Sequence, residues 1–259
     1  MNDIRRGPLA NVLVFHDPQS PLIDLKGFLY YLEDWFEKIG LMPNRISGRG
    51  KKNIGFIPER KRLENENFSG LKNGFWLAAI PSNAGTEMFD FTAAVHLYYH
   101  VNNRRTFLLC WDNQLCDFTR PYLNSLSIEL YSYLKADYGY AYQSKFDYGP
   151  SFYPLGVVGS ELLSLEEELS IAKWAAFYGR NDGNYRSGLL RDIYPMNLLS
   201  EPHLSQQVFD THLQSWIESS PDHGELKKLT DTLWEWWVPE DKIEFVRESL
   251  KPTGVLLCA

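Results

Sequence analysis

The sequence predicts an α+β fold of two tandem βαββαβ halves, each a ferredoxin-like antiparallel sheet with its helices on one face. Three observations predict it. Residues 189–259 read strand, helix, two strands, helix, strand. Residues 11–146 repeat that order with an elaborated middle. Between them stand Gly149, Pro150, Pro154, Gly156 and Gly159, a boundary signal, followed by one helical pattern. The halves are placed at 1–150 and 189–259, joined by a helical linker over 151–188.

Each element has its own signal. Residues 11–15 form an apolar run closed by His16-Asp17-Pro18, which suits a strand. Asp24 is positioned as a helix N-cap, and Leu25, Phe28, Leu29, Leu32, Phe36 and Ile39 follow at helical spacing until Gly40. Residues 43–74, rich in Pro, Gly, Asn and charge, read as a long connection. Residues 75–80, 89–100 and 106–111 are dense in aromatic and β-branched residues and read as strands, with Asn102-Asn103 as a hairpin turn. Pro121 opens a helix carrying Leu123, Leu126, Leu130 and Leu134, and 138–146 alternates as a strand. Leu162, Leu165, Leu169, Ala172 and Ala176 form one stripe of the linker helix, with Glu166, Glu167 and Glu168 near its start, where the helix dipole favours acids. Strands follow at 193–199, 226–229, 233–238 and 255–258. Helices are expected around Leu213, Trp216 and Ile217 and along Ile243, Val246 and Leu250.

The chain has 259 residues, 44% of them hydrophobic and 15% aromatic, too apolar for a disordered protein. Its net charge of -7 excludes a general nucleic-acid binder. The acidity is uneven. Residues 151–259 hold 17 Asp and Glu against 9 Lys and Arg, whereas residues 1–150 hold 16 against 17. Arg45, Arg49, Lys51, Lys52, Arg60, Lys61 and Arg62 crowd one basic stretch that reads as a solvated loop. No leader-like apolar run follows Arg5 and Arg6, and no stretch approaches membrane-spanning length. Cys110, Cys116 and Cys258 make an odd set without a CxxC, which points to reduced thiols in a cytoplasm.

Chemical motifs are missing. Gly50-Lys51 lacks the first glycine and the final Ser or Thr of a phosphate loop, since Arg45 and Lys52 occupy those places. No GxGxxG follows a strand, and Ser160 does not sit in a GxSxG elbow. His96 and His100 share a face but supply only half of a zinc shell. Neither a metal nor a cofactor is expected. A hydrolase would need His203 or His212 to meet an acid such as Asp192 or Asp210. An RNA-binding module would use Tyr138, Tyr140 and Tyr142, which alternate with Gly139 and Ala141 as a ladder of rings on one strand face. That ladder lacks the interleaved basic and glycine signature, so packing between sheet layers is the simpler reading. Trp234 and Trp236 share one strand face with Val238, and Trp237 takes the other with Leu233 and Glu235, as in a strand covered on both sides.

The run Arg191-Asp192-Ile193-Tyr194-Pro195-Met196-Asn197-Leu198-Leu199, with Pro202-His203-Leu204, Trp216-Ile217, Gly224-Glu225-Leu226 and Leu233-Trp234-Glu235-Trp236, resembles the C-terminal region of bacterial immunity proteins from polymorphic toxin loci, of the type paired with restriction-endonuclease-like toxins. The resemblance is confined to the last third of the chain. It implies a cytoplasmic, non-enzymatic protein that neutralises a cognate toxin by direct binding, with a basic toxin as partner and neither membrane nor nucleic acid involved. Asp222, Glu225, Asp231 and Glu235, with Trp237, Tyr138, Tyr140 and Tyr142, are the expected contacts, because aromatic anchors dominate such interfaces.

Overall fold

β1 (Leu9–His16) is the pivot of the architecture. Its alternation sends Ala10, Val12 and Val14 to one side and Leu13 and Phe15 to the other, and all five are fully buried. Such a strand must be paired at both edges and covered on both faces. Both conditions hold: it runs antiparallel to β6 (Arg105–Asp112) and to β7 (Tyr138–Lys145). The computed structural model describes residues 7–18, 22, 24–48, 54–71, 74–81, 91–99, 105–179 and 188–258.

The remaining strands extend this centre in both directions. On the β6 side come β5 (Ala93–Tyr99), β4 (Gly74–Ala79), β2 (Arg45–Gly48) and β3 (Ile54–Gly55). On the β7 side come β8 (Met196–Leu199), β12 (Trp234–Trp237) and β11 (Glu225–Lys228). The result is a single ten-stranded sheet in the order β11-β12-β8-β7-β1-β6-β5-β4-β2-β3, every pairing antiparallel. A small hairpin of β9 (Gln207–Val208) and β10 (Thr211–His212) stands apart from it.

The α+β class is therefore as expected, but two separate ferredoxin-like sheets do not form. The joint is the β7–β8 pairing, with Gly139 opposite Leu198, Tyr140 opposite Asn197 and Ala141 opposite Met196. The physical reason lies in β7. Tyr138, Tyr140 and Ala141 are fully buried, so leaving its second edge open would strand buried backbone donors and acceptors. A Cβ at Gly139 would lie 2.6 Å from the Val14 carbonyl oxygen. Gly139→Ala should therefore destabilise the fold by about 1–3 kcal/mol, read as a lower urea midpoint.

Helices cover both faces. The first face is packed by α1 (Leu25–Lys38), through Phe28, Leu29, Leu32, Trp35 and Phe36, and by α3 (Arg120–Leu134), through Leu123, Leu126, Leu130 and Leu134. The Asp24 cap is present, accepting from the Gly27 amide at 2.8 Å. The second face is packed by the C-terminal part of the chain: α4 (Leu165–Gly179), α5 (Glu201–Leu204), α6 (Leu213–Glu218) and α7 (Ile243–Leu250). The stretch read as a long connection also holds structure, namely β2, β3 and α2 (Phe56–Asn65). The expected last strand is reduced to one parallel bridge, Leu190 to Leu256. The Asn102-Asn103 turn lies outside the described residues.

Candidate protein-docking surface

Beneath the second face lies an arginine held without a carboxylate. Arg191 is fully buried. Its Nη1 donates to the Tyr140 hydroxyl at 2.8 Å, its Nη2 to the Tyr153 carbonyl at 2.8 Å, and its backbone amide to the Tyr138 hydroxyl at 3.2 Å. The guanidinium carbon stands 3.9 Å from the Tyr153 ring centroid and 4.6 Å from that of Trp174, where the negative ring faces attract it. Tyr194 stacks on Tyr140 at 4.1 Å between centroids. Burial pushes the phenols of Tyr138, Tyr140 and Tyr142 upward, so they stay neutral hydrogen-bonding groups. This cluster ties β7, the Tyr153 turn and the segment before β8 to α4.

α4 sits on that cluster by one narrow face. Ile171 and Trp174 are buried, and the Trp174 indole donates to the Pro154 carbonyl at 2.8 Å. The stripe on α4 faces solvent: Leu165 is 72% exposed and Leu169 54%, Ala172 and Ala176 are exposed too, and Leu162, in the turn before the helix, is 65% exposed. The reason is geometric. At about 100° per residue, Trp174 lies opposite Leu165, so seating tryptophan on Arg191 turns the leucines outward. Val157 and Val158 are exposed just before them. A cleft of about 510 Å³ runs beside α4, with Val157, Leu163 and Leu169 on one wall and Glu244, Arg247 and Lys251 of the α7 region on the other. Its floor is the rim of the arginine cluster, Tyr153 and Tyr194.

An exposed, contiguous apolar surface with acids around it is the signature of a protein contact. α7 balances its own charges: Arg247 pairs with Asp192 at 2.7 Å and also with Glu244, and Lys251 pairs with Glu248 at 3.2 Å. The start of α4 does not. Glu167 accepts from the Ser164 amide and hydroxyl as a cap, while Glu161, Glu166 and Glu168 make no ion pair among the described residues.

The expected contact residues fall into two groups. Tyr138, Tyr140 and Tyr142 are buried, and Glu235 is 0% exposed. A partner cannot reach them. The tyrosines are enclosed because the C-terminal helices cover their face, and Glu235 because Arg120 holds it through Nε at 2.8 Å and Nη2 at 3.1 Å. Trp237 is half-buried on the first-face core, with the Arg120 guanidinium 5.7 Å from its ring. Asp222, Glu225 and Asp231 are exposed, each beside a cation: Lys242, Arg120 and Lys228 respectively. The two faces of Trp234–Val238 are covered as the alternation predicted.

The other chemical candidates are dispersed. His203 caps α5, its Nδ1 lying 3.0 Å from the Ser200 hydroxyl, and His212 Nδ1 lies 3.0 Å from the Ser205 carbonyl oxygen. Among the described residues neither is hydrogen-bonded to a carboxylate. The Tyr98 hydroxyl lies 2.6 Å from His96 Nδ1, and His100 is outside the described residues. Among the described residues no group of three or more His, Cys, Asp or Glu is placed to hold a metal, and no helix is long and apolar enough to cross a membrane. Of the basic stretch, Arg60 pairs with Glu33 and Glu64, and Arg62 with Glu59 and Glu66. Arg49, Lys51 and Lys52 are outside the described residues.

Burial lowers His96 to about 3 and His203 to about 4. Unfolded imidazoles bind protons near pH 6.5, where the folded ones do not, so stability is full above that pH and lost as pH falls toward 4. Each histidine contributes up to about 1.4 kcal/mol per pH unit in that window. Urea midpoints measured at pH 7.5 and about 5.5 should therefore fall, and His203→Gln should flatten the dependence.

No protein-family profile and no curated protein matches the chain. Its fold is similar to the solved structure of the Pseudomonas aeruginosa T6SS protein PA0821, with a TM-score of 0.59 at 11% identity, covering 96% of this chain and 73% of that one. The likeness in fold therefore extends over both ends of the ten-stranded sheet.

Proposed function

We propose that this chain is an immunity-type protein that neutralises a cognate bacterial toxin by binding it directly, without catalysis. The observation that carries the reading is the leucine stripe of α4, an apolar face at helical spacing left in water although the helix is firmly seated by Trp174. Solvent exposure of Leu165 and Leu169 along one ridge, with Leu162 in the turn before it, adds little to the folding of the chain itself and supplies the apolar centre of an interface. The fold shared with a T6SS protein supports a place in bacterial competition. The acidic second half suits a basic toxin, whose association it would accelerate. None of the three cysteines forms a disulfide, which suits action in the cytoplasm.

The test is co-expression with the product of the neighbouring gene in a host which that product arrests. Growth protection and co-purification as a complex are the expected results. If neither appears, the immunity reading fails.

A further inference from the structure

We infer that the occupant of the α4 surface is a basic amphipathic helix of the partner protein, laid along the leucine stripe. This rests on the proposal that the chain binds a protein. The surface itself selects the occupant. Leu165, Leu169, Ala172 and Ala176 of α4 make a straight ridge at helical spacing, with Leu162 exposed in the turn just before it, and another helix matches that ridge by ridge-into-groove packing. The small Ala172 and Ala176 let a second helix approach closely over the later turns, while the leucines fill the space between axes over the first ones.

Charge then fixes the chemistry of the flanks. Glu166 lies about 100° round the helix from Leu165, and Glu168 about 60° away on the other side. The stripe is thus bordered by an acid on each flank, as the core of a coiled coil is bordered by its charged positions. Neither acid has an ion-pair partner among the described residues, and Glu161 adds a third just before the helix. A second copy of this chain would bring the same acids against them and be repelled. A helix with lysine or arginine on both sides of an apolar stripe pairs with them. The cations should be concentrated over the first two turns of α4, because Lys173 lies further along the Glu166 flank. The cleft beside α4 accommodates the partner's larger side chains against Val157, Leu169 and Tyr153.

The probe is a labelled helical peptide with leucines in that pattern and lysines on both flanks, titrated into the full chain by fluorescence anisotropy. A peptide of the same composition in scrambled order is the control. Saturable binding is expected, weakened about ten-fold or more by Leu165→Asp with Leu169→Asp, and also by Glu166→Lys with Glu168→Lys. The scrambled peptide should bind at least ten-fold more weakly. Leu165, Leu169 and Glu166 are exposed and Glu168 is half-buried without an ion-pair partner among the described residues, so the variants should keep the wild-type urea midpoint, which separates lost binding from lost folding. Equal binding of both peptides, or binding unchanged in the variants, overturns the inference. So does a dimer of the wild-type chain in light scattering that the leucine variants dissociate. If the toxin complex of the co-expression test forms undiminished with the Leu165→Asp, Leu169→Asp chain, this surface is wrong while the immunity reading stands; if no toxin complex forms with the wild-type chain, the immunity reading fails whatever the peptide does.

Discussion

Arg191→Ala should lower stability by about 3–5 kcal/mol, enough to unfold a chain of ordinary stability at low urea. Two losses add. The first is volume, since a long side chain filling space among Tyr140, Tyr153 and Trp174 is replaced by a methyl group. The second is polar: the Tyr140 hydroxyl and the Tyr153 carbonyl each lose a charged donor, at about 1.5–3 kcal/mol per bond, and keep only the longer contacts to the His16 imidazole at 3.3 Å and the Gly156 amide at 3.1 Å. Arg191→Met separates the two, because it restores much of the volume and none of the donors. It should recover part of the loss, and urea denaturation of both variants reads the difference. A methionine variant as stable as the wild type would show that the cation is dispensable. Because Trp174 rests on this guanidinium, the alanine variant should also loosen α4, visible as faster amide exchange along that helix.

The second large effect belongs to the Arg120–Glu235 pair. Glu235 sits on β12 with no exposed surface, and Arg120, at the first position of α3, reaches it with a two-pronged contact. Arg120→Ala leaves a buried carboxylate without its counter-ion and should cost about 3–5 kcal/mol. Arg120→Ala combined with Glu235→Leu should regain most of that, because desolvating two charges consumes much of what their attraction returns. A double-mutant cycle on urea midpoints measures the coupling. If the double variant is no more stable than Arg120→Ala, the pair contributes a net stabilisation that a leucine cannot replace.

Much of the fold is legible in the sequence where one physical rule dominates. The Asp24 cap, the α1 and α3 stripes and the two-sided burial of Trp234–Val238 all follow from periodicity and local hydrogen bonding. Sheet continuity does not. The apolar alternation of β7 demands a neighbour on each edge, but nothing in residues 138–145 says that the neighbour is 196–199 rather than a strand of its own half. The stretch 43–74 misleads because its helix is polar and short, with only Phe56, Glu59 and Leu63 buried. The candidate surface shows the same limit. The leucine stripe on 162–176 is visible at once, yet periodicity cannot tell which of two apolar faces turns inward. Trp174 decides it, and its partner Arg191 lies outside the helix, further along the chain. The tyrosine ladder is legible as one strand face, but its burial depends on helices of the other half. Nothing in the sequence distinguishes Glu235, the buried partner of Arg120, from the other acids of the second half.

The position of β1 has a consequence for synthesis. It precedes every other described strand in the chain, yet it lies in the interior of the sheet, and its two neighbours come from 105–112 and 138–145. Until residue 145 has left the exit tunnel, one edge of a largely apolar, buried strand lacks its partner. Pairings so distant in sequence are slow to close and leave sticky nascent chains. Production of this protein should therefore depend on trigger-factor-like holding more than its final stability suggests, and slowing translation alone should not relieve that dependence.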